Sequence, residues 1–136
     1  MPPDQSKRNG EDSTVQRAVR MYADFGRVFD LIDRRLGAAL QVADLARAQA
    51  VSLNAFSRSF RRHFGISPKT YLNRRLNAEA CDLMLSTDLR AREIADRLGF
   101  ADEYYFNRFF SKMNRTSPLR YRRRFRGAPG RRRRMS

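Results

Sequence analysis

The sequence contains few of the residues that build disulfides, metal centres and nucleophilic active sites. Its 136 residues include one cysteine, Cys81, one histidine, His63, and no tryptophan. A single cysteine excludes an internal disulfide and suits a reducing cytoplasm, and one cysteine with one histidine cannot form a tetrahedral zinc site. No glycine-rich phosphate loop or nucleophile elbow is present. We therefore expect no enzyme activity, no cofactor and no metal.

Long apolar runs are also absent. No segment approaches the roughly 20 apolar residues that a bilayer-spanning helix needs, and the polar stretch from Met1 to Asp12 is unlike a secretory signal. Hydrophobic residues still make up 41% of the chain, enough for the core of one domain or two small subdomains. We expect a cytoplasmic protein with no membrane partner.

Acidic residues are missing from the last quarter of the chain. The net charge is +15, yet residues 104–136 hold 12 of the 29 basic side chains and no acid. Such a balance points to a polyanionic partner, with nucleic acid as the first candidate and an anionic membrane surface as the second. The arginine run from Arg131 to Arg134 is either a solvated, disordered tail at 127–136 or an arm that contacts phosphates.

The hydrophobic pattern predicts an all-α fold. Residues 1–13 show no periodicity and are expected to be disordered, whereas residues 14–36 carry apolar side chains at spacings of three and four. Gly26 could divide this segment, and Gly37 is the expected C-cap. Further helical segments are expected at about 42–49, 53–64 and 68–86. No segment alternates with period two over the length of a strand.

An internal repeat divides the rest of the chain into two similar halves. A shift of 50 residues superposes Phe56, Arg58 and Phe60 on Phe106, Arg108 and Phe110, and Ser67-Pro68 and Tyr71 on Ser117-Pro118 and Tyr121. Each copy reads as a short helix, a tight turn and a second helix, with Ser52 and Asp102 as N-caps of the second helices. We predict two helix-turn-helix units, at about 42–64 and 91–114, joined by a linker helix at about 68–86.

Helical geometry predicts which side chains of the second helices face outward. Phe56 and Phe60, and likewise Phe106 and Phe110, share an inward face. The opposite faces hold arginine and asparagine, the side chains that read guanine and adenine in the major groove. The expected outward residues are Asn54, Ser57, Arg58, Arg61 and Arg62 in the first copy and Tyr104, Asn107, Arg108, Ser111 and Lys112 in the second.

These motifs resemble the DNA-binding domain of the AraC/XylS family. The resemblance covers about residues 28–124 and is most specific over IADRLGFADEYYFNRFFSKMNRTSPLRYRRR. It implies a homeodomain-like tandem of about seven helices over residues 14–126, a monomer that inserts two recognition helices into successive major-groove segments of double-stranded DNA. It also implies a bacterial protein that associates with the nucleoid when bound to DNA. The implied base contacts are Asn54, Ser57, Arg58, Glu103, Tyr104, Asn107 and Arg108; the implied phosphate contacts are Arg61, Arg62, Ser111, Lys112, Arg122 and Arg123.

Two positions depart from the repeat. Ala50 matches Gly99, so the first turn is expected to avoid a positive φ. Arg115 matches Gly65, and Asn114 beside it is expected to adopt the left-handed conformation that ends the helix. His63 matches Met113 and is expected to be partly buried at a helix end.

Several interpretations remain open at this point. A transcription regulator with RNA polymerase as a second partner is the leading hypothesis, and the polar residues before Thr14 indicate either a stand-alone regulator or an excised DNA-binding domain. A nonspecific or architectural nucleic-acid binder that acts through its basic C-terminal region is the alternative. A methyl acceptor at Cys81 is a third hypothesis. The competing interpretation of this cysteine is a small residue of the core.

Overall fold

The computed structural model describes residues 15–16 and 25–126. Seven helices lie within 25–126, and no strand occurs in the described ranges, which confirms the all-α prediction. The predictions for residues 1–13, 17–24 and 127–136 fall outside the described residues. The helices are α1 (residues 25–35), α2 (Val42–Ala48), α3 (Leu53–Phe64), α4 (Pro68–Ser86), α5 (Ala91–Arg97), α6 (Glu103–Asn114) and α7 (Pro118–Arg126). Among the described residues, no helix is both long and apolar enough to cross a bilayer.

The described residues divide into two compact units. The first unit holds residues 25–35 and 42–68, and the second holds residues 36–41 and 69–126. Each unit therefore contains one of the two predicted helix-turn-helix pairs, α2 with α3 and α5 with α6. The long helix α4 covers the predicted linker and begins where the first unit ends.

Aromatic rings dominate the core of the first unit. Phe25 of α1 lies with its ring centroid 6.2 Å from Phe56 and 5.8 Å from Phe60, and all three are buried. Aromatic pairs at these separations stabilise a core beyond the apolar area that they bury. The core of this unit also contains Val28, Ile32, Leu45 and Ala46.

The second unit has a core of its own, built from α4, α5 and α6. The buried Phe106 and Phe110 form the apolar face of α6, as the repeat predicts. Phe100, Phe109 and Cys81 pack against this core while remaining partly exposed. The buried members of the cluster are Leu76, Ala80, Leu83, Met84, Ile94, Ala95, Leu98, Phe106 and Phe110.

Side-chain caps determine where α3 and α6 begin. The Ser52 hydroxyl accepts a hydrogen bond from the Ala55 amide at 3.1 Å, and the Asp102 carboxylate accepts one from the Tyr105 amide at 3.1 Å. Both caps have extended backbones and satisfy an amide that the first helical turn leaves without a partner. The predicted N-caps are confirmed.

The turn inside each helix-turn-helix pair corrects one expectation. Ala50 has a φ of +59° and Gly99 has a φ of +81°, so the expectation that the first turn avoids positive φ was wrong. The Val51 amide donates to the Ala46 carbonyl at 3.1 Å, just as the Phe100 amide donates to the Ala95 carbonyl at 2.9 Å. Because both turns use this same hydrogen bond, the alanine must accept the left-handed backbone that glycine adopts freely.

The ends of α3 and α6 correct a second expectation. Gly65 and Arg115 both adopt the left-handed conformation, and their amides donate to the carbonyls of Arg61 and Ser111, each at 2.8 Å. Asn114, which was expected to take this conformation, is the last residue of α6 instead. Its side chain donates to the Phe110 carbonyl at 3.0 Å, an interaction that suits a residue still within the helix.

Two smaller predictions also fail. Gly37 is not among the positive-φ glycines of the described chain; its carbonyl accepts from the Leu40 amide at 3.2 Å, within a turn of the second unit. His63 is exposed rather than partly buried. Its Nδ1 lies 2.8 Å from the Ser59 carbonyl, and its ring centroid lies 5.4 Å from that of Phe25. The imidazole therefore packs beside Phe25 at the surface and remains accessible to water.

Candidate nucleic-acid interface

The α3 face is the polar surface of helix α3. It comprises the exposed Asn54, Arg58, Arg61 and Arg62, with the half-buried Ser57 at its edge. The helix contains no acidic residue, and burial of Phe56 and Phe60 turns the arginines away from the core. This surface therefore presents three guanidinium groups, donors suited to both phosphate and guanine.

The α6 face is the matching surface in the second unit. Glu103, Tyr104, Arg108 and Lys112 are exposed there. Asn107 and Ser111 are half-buried at its edges. This surface is more varied than the α3 face because it adds a carboxylate and a phenol to the basic groups.

The two faces differ most at the first helical position. Leu53 occupies it in α3 and is 48% exposed, whereas Glu103 occupies the matching position in α6. Leu53 was not predicted from the sequence because it lacks the polar chemistry shared by the other residues of this face. Its exposure next to the polar face is the signal that could have found it, because an apolar side chain can contact the methyl group of thymine.

Arg108 has a partner on the surface of α6. Its Nη1 donates to the Tyr104 hydroxyl at 3.4 Å, and its guanidinium carbon lies 5.7 Å from the centre of the Tyr104 ring. Both Tyr104 and its neighbour Tyr105 point outward, 58% and 53% exposed. The structure thus brings together two of the predicted base-contacting residues.

An open cavity of about 420 Å³ adjoins the α6 face. Glu103 and Asn107 line one side of it, and Ser117, Leu119 and Arg122 line another. Two of the predicted base-contacting residues of α6, Glu103 and Asn107, therefore border one concave surface with the start of α7 within the second unit.

The arginines of α7 fall into two groups. Arg122 Nε donates to the Met84 carbonyl at 2.7 Å, and its Nη2 donates to the Thr87 carbonyl at 3.0 Å. Arg126 bonds to the same two carbonyls and forms an ion pair with Asp88. These two side chains satisfy carbonyls at the C-terminal end of α4, where the helix dipole is negative. The exposed arginines of this helix are Arg120, Arg123 and Arg124.

A polar cluster ties the end of α6 to α4. The Asn77 and Asn114 amides exchange two hydrogen bonds, at 2.9 Å and 2.8 Å. The Cys81 thiol donates to Asn114 Oδ1 at 3.5 Å, and Cys81 also bonds to the Tyr121 hydroxyl. Amides that satisfy one another across 37 residues hold the recognition helix in place at low desolvation cost.

Burial controls the acidity of the two titratable groups in this cluster. It raises the pKa of the Cys81 thiol above its ordinary value, although hydrogen bonds with Tyr121 and Asn114 oppose the shift. Burial, the Cys81 hydrogen bond and the nearby Cys81 charge raise the pKa of Tyr121 to about 12. Both groups are therefore neutral near pH 7, and Cys81 has little of the thiolate that a reactive cysteine needs.

Comparison with known proteins identifies the family of this chain. A helix-turn-helix domain family matches residues 45–124. The uncharacterised HTH-type transcriptional regulator YijO of Escherichia coli K12 is 36% identical over 113 residues, which cover 83% of this chain and 40% of that protein. The HTH-type transcriptional activator RhaS of Salmonella arizonae is 34% identical over 74 residues, 54% of this chain and 27% of that protein. The chain thus spans less than half the length of these curated relatives.

Solved structures share the fold of this chain. The C-terminal domain of the response regulator yesN from Fusobacterium nucleatum superposes with a TM-score of 0.65 at 29% identity, covering 70% of this chain and 93% of that one. The DNA-binding domain of AdpA, solved with a target DNA, superposes with a TM-score of 0.66 at 25% identity, covering 75% and 91%. An AraC-type domain protein from Chromobacterium violaceum shares the fold, with a TM-score of 0.66 at 20% identity over 82% and 99%. The chain belongs to the AraC-type helix-turn-helix family.

Proposed function

We propose that this chain is a sequence-specific double-stranded DNA-binding transcription regulator. The observation that carries the proposal is the pair of matched helices, α3 and α6, each with a buried phenylalanine face and an exposed polar face. Family membership supports it, as does the AdpA domain solved with its target DNA. The relatives YijO and RhaS are named as transcriptional regulators.

Each recognition helix enters a major-groove segment and reads base edges. In α3 the reading residues are Asn54, Ser57 and Arg58, and we add Leu53 as an apolar contact to thymine. Arginine suits guanine and asparagine suits adenine because each can form two hydrogen bonds to that base. In α6 the reading residues are Glu103, Tyr104, Asn107 and Arg108.

Phosphate contacts anchor the two helices on the duplex. Arg61 and Arg62 of α3, Ser111 and Lys112 of α6, and Arg123 of α7 serve this role, which adds affinity without sequence preference. Arg122 was predicted to join them, but its guanidinium donates to two carbonyls of the fold. We therefore propose a structural role for Arg122.

The remaining features of the proposal concern partners and location. The chain binds as a monomer, because the repeat supplies two recognition helices in one polypeptide, and it acts in the bacterial cytoplasm. RNA polymerase is the proposed protein partner, since a relative is named as a transcriptional activator. The family's regulatory character supports a role without enzyme activity.

A nonspecific binder is the second candidate, favoured by one observation. Helix α7 carries five arginines and no acid, and the sequence continues into a further arginine run. Charge of this density binds any duplex through counterion release. Under this alternative the α3 and α6 faces add only charge.

Selection of bound sequences from a random duplex library, at about 0.15 M salt, distinguishes the two. We expect two short conserved elements about one helical turn, roughly 34 Å, apart. Arg58→Ala or Arg108→Ala should weaken binding to the selected site by about 1–3 kcal/mol and relax preference at one base pair. Arg35→Ala, which removes an exposed charge from α1, is the matched control. A flat pool that binds tightly would establish the second candidate.

A further inference from the structure

Tyr104 and Arg108 form an exposed pair one helical turn apart on the α6 face. The hydrogen bond between them is 3.4 Å long, and the 5.7 Å separation of guanidinium and ring lies within the range of a cation–π interaction. Neither side chain belongs to the core. The pair therefore orders an arginine on the surface, where the packing of the fold does not require it.

The matching arginine of the first unit lacks this arrangement. Asn54 stands four residues before Arg58, at the position that Tyr104 holds relative to Arg108. Within the described part of the chain, no side-chain hydrogen bond or ring contact is found for Arg58. Since both helices have the same fold and the same arginine, the Tyr104 contact is a property of this second face and not a requirement of the helix-turn-helix unit.

An arginine that reads a base must lose its rotational freedom when it binds. Bidentate hydrogen bonding to guanine fixes the guanidinium plane, and the entropy cost of fixing a long side chain lowers affinity. A tyrosine has only two side-chain torsions. A guanidinium already held against such a ring has lost part of its freedom before DNA arrives.

We propose that Tyr104 is a positioning residue that holds Arg108 for bidentate recognition of a guanine. The second helix-turn-helix unit then discriminates at its arginine more sharply than the first unit does at Arg58. This inference rests on the proposed function, since it concerns the same DNA-reading face. It differs from the expected direct base contact of Tyr104, because the tyrosine acts through the arginine.

A double-mutant cycle tests the proposal. The dissociation constant is measured for the site selected by the wild-type protein and for the same site with the guanine facing α6 changed to adenine. Tyr104→Phe should reduce the preference for guanine, the ratio of the adenine-site constant to the guanine-site constant, by about threefold to tenfold. This is the size of an ordinary net hydrogen bond, as expected for an exposed bond of 3.4 Å. In the Arg108→Ala protein, Tyr104→Phe should have no further effect on this ratio.

Tyr105→Phe is the matched control, since it removes a hydroxyl from an equally exposed neighbour that does not bond to Arg108. It should leave the ratio unchanged, and circular dichroism should show the same helicity for all variants. The proposal is overturned if Tyr104→Phe keeps its full effect without Arg108, if it weakens all sites equally, or if the selected site has no guanine facing α6. A wild-type pool with no motif would instead refute the proposed function itself.

Discussion

Replacing Ala50 with glycine should stabilise the protein by about 0.5–1 kcal/mol. Ala50 has a φ of +59°, and a left-handed backbone costs an L-residue about 1–2 kcal/mol. Glycine removes that cost, but its greater conformational freedom in the unfolded state lowers the free energy of unfolding by about 0.4–1 kcal/mol. The residue is exposed, so loss of its methyl group removes little packing.

The second turn supplies the reverse substitution. Gly99→Ala should destabilise the protein by a similar amount, because Gly99 has a φ of +81° and a Cβ placed on it would lie 3.7 Å from the Ala38 nitrogen, an ordinary contact. The two substitutions therefore test the same backbone strain, with opposite expected effects on the free energy of unfolding, and neither introduces a steric clash.

Urea denaturation measures both effects. The midpoint should rise for Ala50→Gly and fall for Gly99→Ala, with the slope of free energy against urea unchanged in each case. If Ala50→Gly lowers the midpoint while Gly99→Ala also lowers it, the first turn does not store the strain that its φ indicates, and the reasoning is refuted.

Three further predictions concern the helix ends and the polar cluster. Arg115→Gly should stabilise the protein by about 0.5–1 kcal/mol and Gly65→Ala should destabilise it, since both positions are left-handed; thermal melting of the two variants should show opposite shifts, and shifts of the same sign would contradict the assignment. Asn114→Ala should cost about 1–3 kcal/mol because it leaves the partly buried Asn77 amide without its partner, whereas adding Asn77→Ala to that variant should cost much less than Asn77→Ala costs alone. Equal costs in the two backgrounds, measured by chemical denaturation, would show that the amides do not interact. The raised pKa of Tyr121, about 12 against an ordinary 10, means that the folded state holds this proton more tightly than the unfolded state. The contribution of Tyr121 to the free energy of unfolding should therefore be fully present below pH 10 and decline as pH rises from 10 to 12. Tyr121→Phe should flatten that decline in denaturation curves; an unchanged decline would assign it to other groups.

Features that depend on neighbouring residues in the sequence could be predicted. Phe56 and Phe60 are buried and Ser52 caps α3 because spacing and capping act within a few residues. The bounds of α4 follow from the same local signals, beginning at Pro68. The outward positions of Arg58 and Arg108 follow from the helical period, whereas their DNA contacts remain predictions.

Two kinds of feature could not be predicted: a turn geometry that overrides the preference of its own residue, and contacts with distant parts of the chain. Ala50 adopts a left-handed backbone because the turn must repeat a fixed geometry, which overrides its own preference. Asn114 stays helical because its amide is held by Asn77, 37 residues away. Arg122 bonds to carbonyls 35 and 38 residues away, and no local pattern distinguishes it from the neighbouring arginines.

The commitment of Arg122 and Arg126 to the end of α4 changes how the charge of this protein should be counted. Both guanidinium groups bond to main-chain carbonyls, and Arg126 also pairs with Asp88. Each phosphate contact steepens the salt dependence of binding by a slope of about 0.9, but an arginine held by the fold contributes no such contact. A salt titration should thus release fewer ions than the formal charge of +15 indicates, and binding should persist at ionic strengths that the arginine content alone would predict to abolish it.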